Sequence, residues 1–185
     1  MRIVAGRWRG KRLDVGRGCG QRPTQERVRE AIFSRLGECV PGAVVLDLFA
    51  GTGALGLEAL SRGAVQATFV EKSPAAIMAL KRNIRALKAG SLCRVVEGDA
   101  FRFLTGQLGR VDSVTLLFAD PPYGELAASL AGCLERATGL TWGSGAVRVI
   151  ECSKRDPVWP SQVQWRPWSV KEYGETRVFI EEREI

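Results

Sequence analysis

The 185-residue chain contains no histidine. That excludes Ser-His-Asp and Cys-His catalysis, and with them any histidine-ligated metal centre. Its five cysteines, Cys19, Cys39, Cys93, Cys133 and Cys152, are odd in number, scattered, and never spaced C-x-x-C. Neither a disulfide framework nor a zinc site is expected from them, and no metal is expected at all. Long apolar runs are missing too, and no charged-then-apolar leader follows Met1. The expectation is a cytoplasmic protein that does not engage a membrane. Whatever chemistry the chain performs must run on carboxylates, backbone carbonyls or the reactivity of a cofactor.

What is present is an ordinary globular composition, 45% apolar and 25% charged, enough to bury a core. The formal charge of +7 is distributed unevenly. Residues 1 to 35 hold ten basic and three acidic groups, and the other 150 residues hold seventeen of each. An excess confined to one segment points to a polyanionic partner, most simply a nucleic acid. Arg7, Trp8, Arg9, Lys11 and Arg12 are its candidate nucleic-acid-contacting residues, an aromatic among cations. The stretch RIVAGRWRGKRLDV reads as two strand-like pieces around a glycine-rich turn, a small basic β-hairpin arm. Residues 1–21 are therefore assigned to a basic nucleic-acid-binding arm and 22–185 to the main domain.

After a glycine-rich linker at 16–21, Pro23 and Thr24 open a helix whose apolar stripe is Val28, Ala31, Ile32 and Leu36, ended by Gly37. From Ala43 onward strand and helix patterns alternate. Strands are predicted at 43–48, 66–71, 92–97, 112–119 and 146–151, and helices at 54–62, 74–89, 100–107 and 124–137. Runs such as AVVLDLF and VTLLF are apolar without alternation, as in strands covered on both faces. The fold class is α/β, a single Rossmann-like doubly wound sheet, mostly parallel. Residues 163–182 read instead as an antiparallel hairpin turning at Tyr173-Gly174.

Ligands in such sheets bind beyond the carboxyl ends of the strands. The first strand ends in DLFAGTGALG, where Gly51, Gly53 and Gly56 satisfy G-x-G-x-x-G and Glu71 follows the first glycine by twenty positions. Taken alone, this is also the fingerprint of a nicotinamide or flavin dinucleotide site. Glu71 can accept ribose hydroxyls. Asp99, in EGDAF, can accept from an adenine amino group, cap the helix that starts at Ala100, or do both. The fourth strand ends in LLFADPPYG. Pro121 and Pro122 fix φ and donate no N–H, so the Asp120 carboxylate and Pro121 carbonyl form a stiff acceptor pair beside the Tyr123 ring. That arrangement suits an exocyclic amine on a planar base, whereas hydride transfer wants a proton donor beside a carbonyl carbon. Cys152, in VIECSK, reads as a buried strand cysteine rather than a nucleophile.

DLFAGTGALG followed by ADPPYG resembles the S-adenosylmethionine-dependent methyltransferases that modify exocyclic amines of nucleobases. Together with MRIVAGRWRGKRL, RPTQERVREAIFSRL, LEALSRGA, VEKSP, GDAF and YGETRV, the chain resembles the RsmD family over nearly its whole length. The resemblance implies a class I methyltransferase sheet of seven strands whose last two form the hairpin, and transfer to the N2 amine of a guanine in 16S rRNA of the small ribosomal subunit. It implies S-adenosylmethionine as cofactor, contacted by Asp47, Phe49, Ala50, Gly51, Thr52, Gly53, Glu71, Lys72, Asp99 and Ala100, with Arg22, Pro23 and Thr24 over its methionine end. Asp120, Pro121, Pro122 and Tyr123 are then catalytic, and the nucleic acid met by the basic arm is RNA. The protein is expected to act as a monomer on an assembled or assembling particle. The alternatives are an N6-adenine methyltransferase of DNA or RNA, a nicotinamide dehydrogenase, and an RNA-binding module without activity.

Overall fold

Strands with apolar side chains on both faces need cover on both sides, and the computed structural model shows how it is supplied. It describes residues 1–16, 23–121, 126–155 and 165–183. Seven strands form one sheet in the order β3-β2-β1-β4-β5-β7-β6. They are β1 (Val44–Leu48), β2 (Gln66–Glu71), β3 (Cys93–Glu97), β4 (Val111–Ala119), β5 (Leu140–Ser153), β6 (Trp165–Tyr173) and β7 (Thr176–Arg183). The first five run parallel, while β7 pairs antiparallel with both β5 and β6. The predicted seven-stranded, mostly parallel sheet with its C-terminal hairpin is therefore what the chain forms.

One face is covered by α1 (Pro23–Leu36), α2 (Ala54–Ser61) and α3 (Pro74–Ala86), whose Val28, Ile32, Leu57 and Leu80 pack with Val45, Phe69 and Phe118 of the sheet. The other face carries α4 (Ala100–Leu104) and α5 (Leu126–Glu135), where Phe103, Leu104, Leu130 and Leu134 meet Leu46, Leu48 and Leu117. Local signals set the helix starts. Ser73 caps α3 ahead of Pro74, accepting from the Ala76 N–H, and Asp99 caps α4. Pro23 begins α1 as expected, with Val28, Ile32 and Leu36 buried; the Thr24 side chain lies outside the described residues.

β5 is longer than the predicted 146–151. Its first residues pair with β4 through Val111 and Val114, across two register shifts. The glycines of WGSG read as a loop in sequence, yet a Cβ at Gly143 would stand 2.6 Å from Thr115 Cγ2. That glycine permits close strand approach at a bulge.

The N-terminal segment folds back as expected, although a single antiparallel bridge, Arg2 with Arg12, takes the place of extended strands. Its amides are used elsewhere. Val4 and Ala5 donate to the Glu58 carboxylate at 2.8 and 3.0 Å, and the Trp8 N–H donates to Ser61 Oγ at 3.0 Å. Ile3 and Leu13 are buried in the same core as α1 to α3. Glu58, fully buried in α2, also meets Arg62 at 2.8 Å and Arg29 at 3.6 Å. Removing one partner from such a buried arrangement costs about 3–5 kcal/mol.

Candidate active site

The carboxyl ends of β1, β2, β3 and β4 lie side by side and bring together the acids that the sequence placed at strand ends. From β1 the chain enters a loop of unusual backbone: Phe49, Gly51 and Gly53 all have positive φ, at 57, 54 and 82°. For an aromatic such as Phe49 this conformation costs about 1–3 kcal/mol and persists only where the surroundings impose it. Here the Ala50 N–H donates to the Val70 carbonyl at 3.0 Å, and the Phe49 ring packs edge-on against Phe101 at 5.9 Å.

The three glycines have different reasons for being glycine. A Cβ at Gly53 would lie 2.4 Å from Leu80, and one at Gly56 would lie 2.4 Å from Phe69. Both let α2 and α3 close on the sheet. Gly51 is different, because a Cβ there would meet nothing within 4 Å. Its N–H donates to Glu71 Oε2 at 2.8 Å, while Lys72 and Ser73 donate to Oε1 at 2.9 and 2.7 Å. Three amides thus hold the Glu71 carboxylate in one orientation beside open space at the loop.

Asp99 takes the expected capping role and keeps its second oxygen on the outer side of the cap. Its Oδ1 accepts from Phe101 at 3.0 Å as the cap of α4, and its Oδ2 meets Lys72 Nζ at 3.3 Å. That exposed ion pair is worth about 0–1 kcal/mol, so a ligand can displace Lys72 at little cost. Ala100 is buried directly behind it.

Asp47 is buried on β1 and accepts from the Gly56 N–H at 2.9 Å. Burial pushes its carboxyl up to about 8, and the neighbouring Asp120 and Glu71 add to the rise. Asp120 follows β4; it is reachable by solvent yet hemmed in by protein, and that desolvation pushes it up to about 6. Pro121 is buried beside it. Pro122, Tyr123 and Arg22 lie outside the described residues, as do the side chains of Pro23 and Thr24.

Residues without a role in the sequence motifs complete the site. Asn83 of α3 is buried and donates to the Thr52 carbonyl of the glycine loop at 3.0 Å. Glu151, half-buried on β5, lies close enough to Asp120 and Asp47 that its own carboxyl is held well above the usual range, with burial the largest cause. Glu151 had a signal in sequence, a charged residue inside the apolar run VIECS; Asn83 had only its spacing, a polar residue at the helical period of Leu80, Ile84 and Leu87.

Of the proposed RNA-contacting residues, Arg7, Arg9, Lys11 and Arg12 are exposed and Trp8 is half-buried, with the Arg7 guanidinium 4.3 Å from its ring centre. Arg7 donates to the carbonyls of Leu60 and Ser61, through its side chain and backbone in turn. These carbonyls lie where α2 ends, so Arg7 and Trp8 sit at the opposite end of the sheet from Asp120. The eight residues of α2 set that separation at about 12 Å or more.

The residues present suit an adenosine cofactor that carries positive charge. Open space at Gly51 and the fixed Glu71 would suit a ribose, and Asp99 and Phe101 an adenine. Asp47, Asp120 and Glu151 form a group of acids with no ion-pair partner of their own among the described residues. The pyrophosphate of a dinucleotide would be repelled there. A sulfonium and an ammonium would be welcome.

Comparison with known proteins agrees with this chemistry. A family model described as "Conserved hypothetical protein 95" matches residues 1–182. Ribosomal RNA small subunit methyltransferase D of Escherichia coli K12 is 46% identical over 145 residues, which is 78% of this chain and 68% of that protein. The putative rRNA methyltransferase YlbH of Bacillus subtilis is 39% identical over 125 residues, 68% of each. Among solved structures, the putative methyltransferase yhhF from E. coli superposes with a TM-score of 0.87 at 35% identity, covering 100% of this chain and 98% of that one.

Proposed function

The chain belongs to the RsmD family, that of ribosomal RNA small subunit methyltransferase D, and on that premise we propose that it methylates the exocyclic N2 amine of a guanine in 16S rRNA within the small ribosomal subunit, with S-adenosylmethionine as donor. The observation that carries the reading is the pair of acids Asp47 and Asp120 beside the open glycine loop, without an ion-pair partner among the described residues, which favours a cationic adenosine cofactor over an anionic dinucleotide.

Bound at this loop, the cofactor supplies a methyl carbon already activated by its sulfonium, so neither a metal nor a covalent enzyme intermediate is required. The protein aligns and stabilises. Asp120 and the Pro121 carbonyl each accept one hydrogen of the amine, which lets the nitrogen pyramidalise and direct its lone pair away from the base ring. Asp120 also stabilises the positive charge that builds on nitrogen, and afterwards takes the proton that the methylated nitrogen sheds. The target base must leave its stack to reach this point, and Tyr123 offers a ring on which to settle, worth about 1–3 kcal/mol. The basic residues of the N-terminal segment engage phosphates elsewhere on the particle and set register rather than sequence.

The test has two arms. Mass-spectrometric mapping of 16S rRNA from a strain lacking the protein shows one guanine without its N2 methyl. Purified protein transfers labelled methyl to small subunits but not to naked DNA. Label in adenine, or transfer to DNA, would replace this reading with N6-adenine methylation.

A further inference from the structure

Glu151 has no part in the mechanism above, and its position gives it one. In the register, Ile150 of β5 pairs with Ala119 of β4, so the next step along both strands sets Glu151 beside Asp120. The strands stand about 4.8 Å apart. Side chains alternate, and the rung two residues back aligns Asp47, Phe118 and Val149 across β1, β4 and β5. Asp47, Asp120 and Glu151 therefore project from the same face of the sheet, the face covered by α1 and α2.

The charges facing this group come from each neighbouring element in turn. From α1 comes Arg29, but its guanidinium pairs with Glu58 of α2 at 3.6 Å and donates to the Arg2 carbonyl. Glu58 takes Arg62 as well. The Glu71 carboxylate of β2 adds a further negative neighbour to Asp47. No cation among the described residues is thus dedicated to the three acids. A bound cofactor would bring an ammonium and a sulfonium, offset in part by its own carboxylate, so the three acids would still outnumber the net positive charge. That excess favours a proton on one of them.

Resting on the proposed methyl-transfer reading, we infer that Glu151 is a positioning residue: as a neutral carboxylic acid it donates a hydrogen bond to one oxygen of the Asp120 carboxylate and leaves the other oxygen facing the amine. Its placement agrees with that role. Glu151 is held by β5 against β7, where it pairs with Val178 in the middle of a ladder that fixes its backbone. Asp120, just past the end of β4, has no such partner strand to orient it. Burial and the charges of Asp120 and Asp47 all favour the protonated form of Glu151, with Arg29 the opposing influence. Like-charged carboxyls at one site resolve themselves by sharing a proton in this way.

The role makes Glu151→Gln and Glu151→Ala behave differently, because only glutamine keeps a neutral donor. In single-turnover methyl transfer to small subunits, Glu151→Gln should stay within about threefold of the parent, whereas Glu151→Ala should lose at least about tenfold in rate with cofactor KM unchanged. Equal losses in the two variants would show that an ionised glutamate is needed and would overturn the proposal. A second measurement needs no RNA and no activity. In protein labelled with 13C at the glutamate carboxyl, one resonance should titrate far above the others, vanish in Glu151→Gln, and move to lower pH in Asp120→Asn. Glutamates that all titrate near 4.3, or an unusual resonance indifferent to Asp120→Asn, would overturn it. If the parent methylates no RNA, the functional reading fails while the resonance still decides the protonation of Glu151.

Discussion

Asn83 donates through Nδ2 to the Thr52 carbonyl at 3.0 Å, joining helix α3 to the glycine loop. The same nitrogen donates to the Asp14 carbonyl at 2.9 Å, and Asn83 Oδ1 accepts from the Asp14 N–H at 2.7 Å. One buried amide thus holds the cofactor loop and the returning N-terminal segment together. Asn83→Ala leaves up to three backbone groups unpaired and should destabilise the protein by about 1–3 kcal/mol or more. It should also weaken cofactor binding beyond that of a variant equally destabilised elsewhere, as calorimetric titration would show. Unchanged affinity would mean that the loop holds its shape alone.

Gly51 and Gly56 separate ligand access from packing. Gly56→Ala drives a Cβ to 2.4 Å from the Phe69 ring, and the overpacking should cost about 1–3 kcal/mol in chemical denaturation. Gly51→Ala meets no atom and pays only for its left-handed backbone, about 1–2 kcal/mol. Its new methyl points into the space assigned to the cofactor, so affinity for S-adenosylhomocysteine should fall more than stability does.

Asp47 gives a pH signature. Its carboxyl rises from 3.8 to about 8 on folding, so below about 4 both states hold the proton, and between 4 and 8 only the folded state does. Stability without cofactor should be greatest at the acid side of that window and decline as pH rises through 8. Asp120, raised to about 6, acts in the same direction. A cation at the site reverses the preference, so cofactor binding near pH 7 should release protons. Calorimetry in buffers of different ionisation enthalpy measures that release, and Asp47→Asn should diminish it.

Asp120→Ala should abolish methyl transfer, by more than about a hundredfold, and weaken cofactor binding by no more than about tenfold, since Asp47 and Glu71 remain. Parallel loss of both would make Asp120 a structural residue of the loop.

Removing residues 1–15 would also take Ile3 and Leu13 from the core and leave Glu58 without its amide donors, so the RNA-binding role of this segment is better tested by charge. Arg9→Gln, Lys11→Gln and Arg12→Gln alter exposed side chains only. For every phosphate that one of these variants no longer neutralises, the slope of log affinity against log salt should fall by about 0.7–0.9. An unaltered slope would remove this surface from the RNA interface.

Much of the domain was legible because it rests on local rules. Unbroken apolar runs announced strands buried on both faces, Pro23 and Asp99 announced helix starts, and the acids at strand ends announced the site, since a parallel sheet places every such end in one row. The length of β5 was hidden because bulge glycines look like loop glycines until the neighbouring strand is present. Glu58, Asn83 and Glu151 were visible only as polar residues out of pattern. The backbone hydrogen-bond partners of Glu58 and Asn83 lie 31 to 69 residues away along the chain, and no periodicity encodes that pairing.

The sequence by itself determined the sheet, its two covered faces and the acids at its carboxyl end, because side-chain period and backbone chemistry act over a few neighbouring residues. Tertiary structure alone decided that the acids of β1, β4 and β5 crowd one face with no dedicated cation among the described residues, and that the basic segment is fastened along α2 by Glu58 and Ser61. Electrostatics in a folded protein depends on distances through space, and those exist only once the strands have been laid side by side.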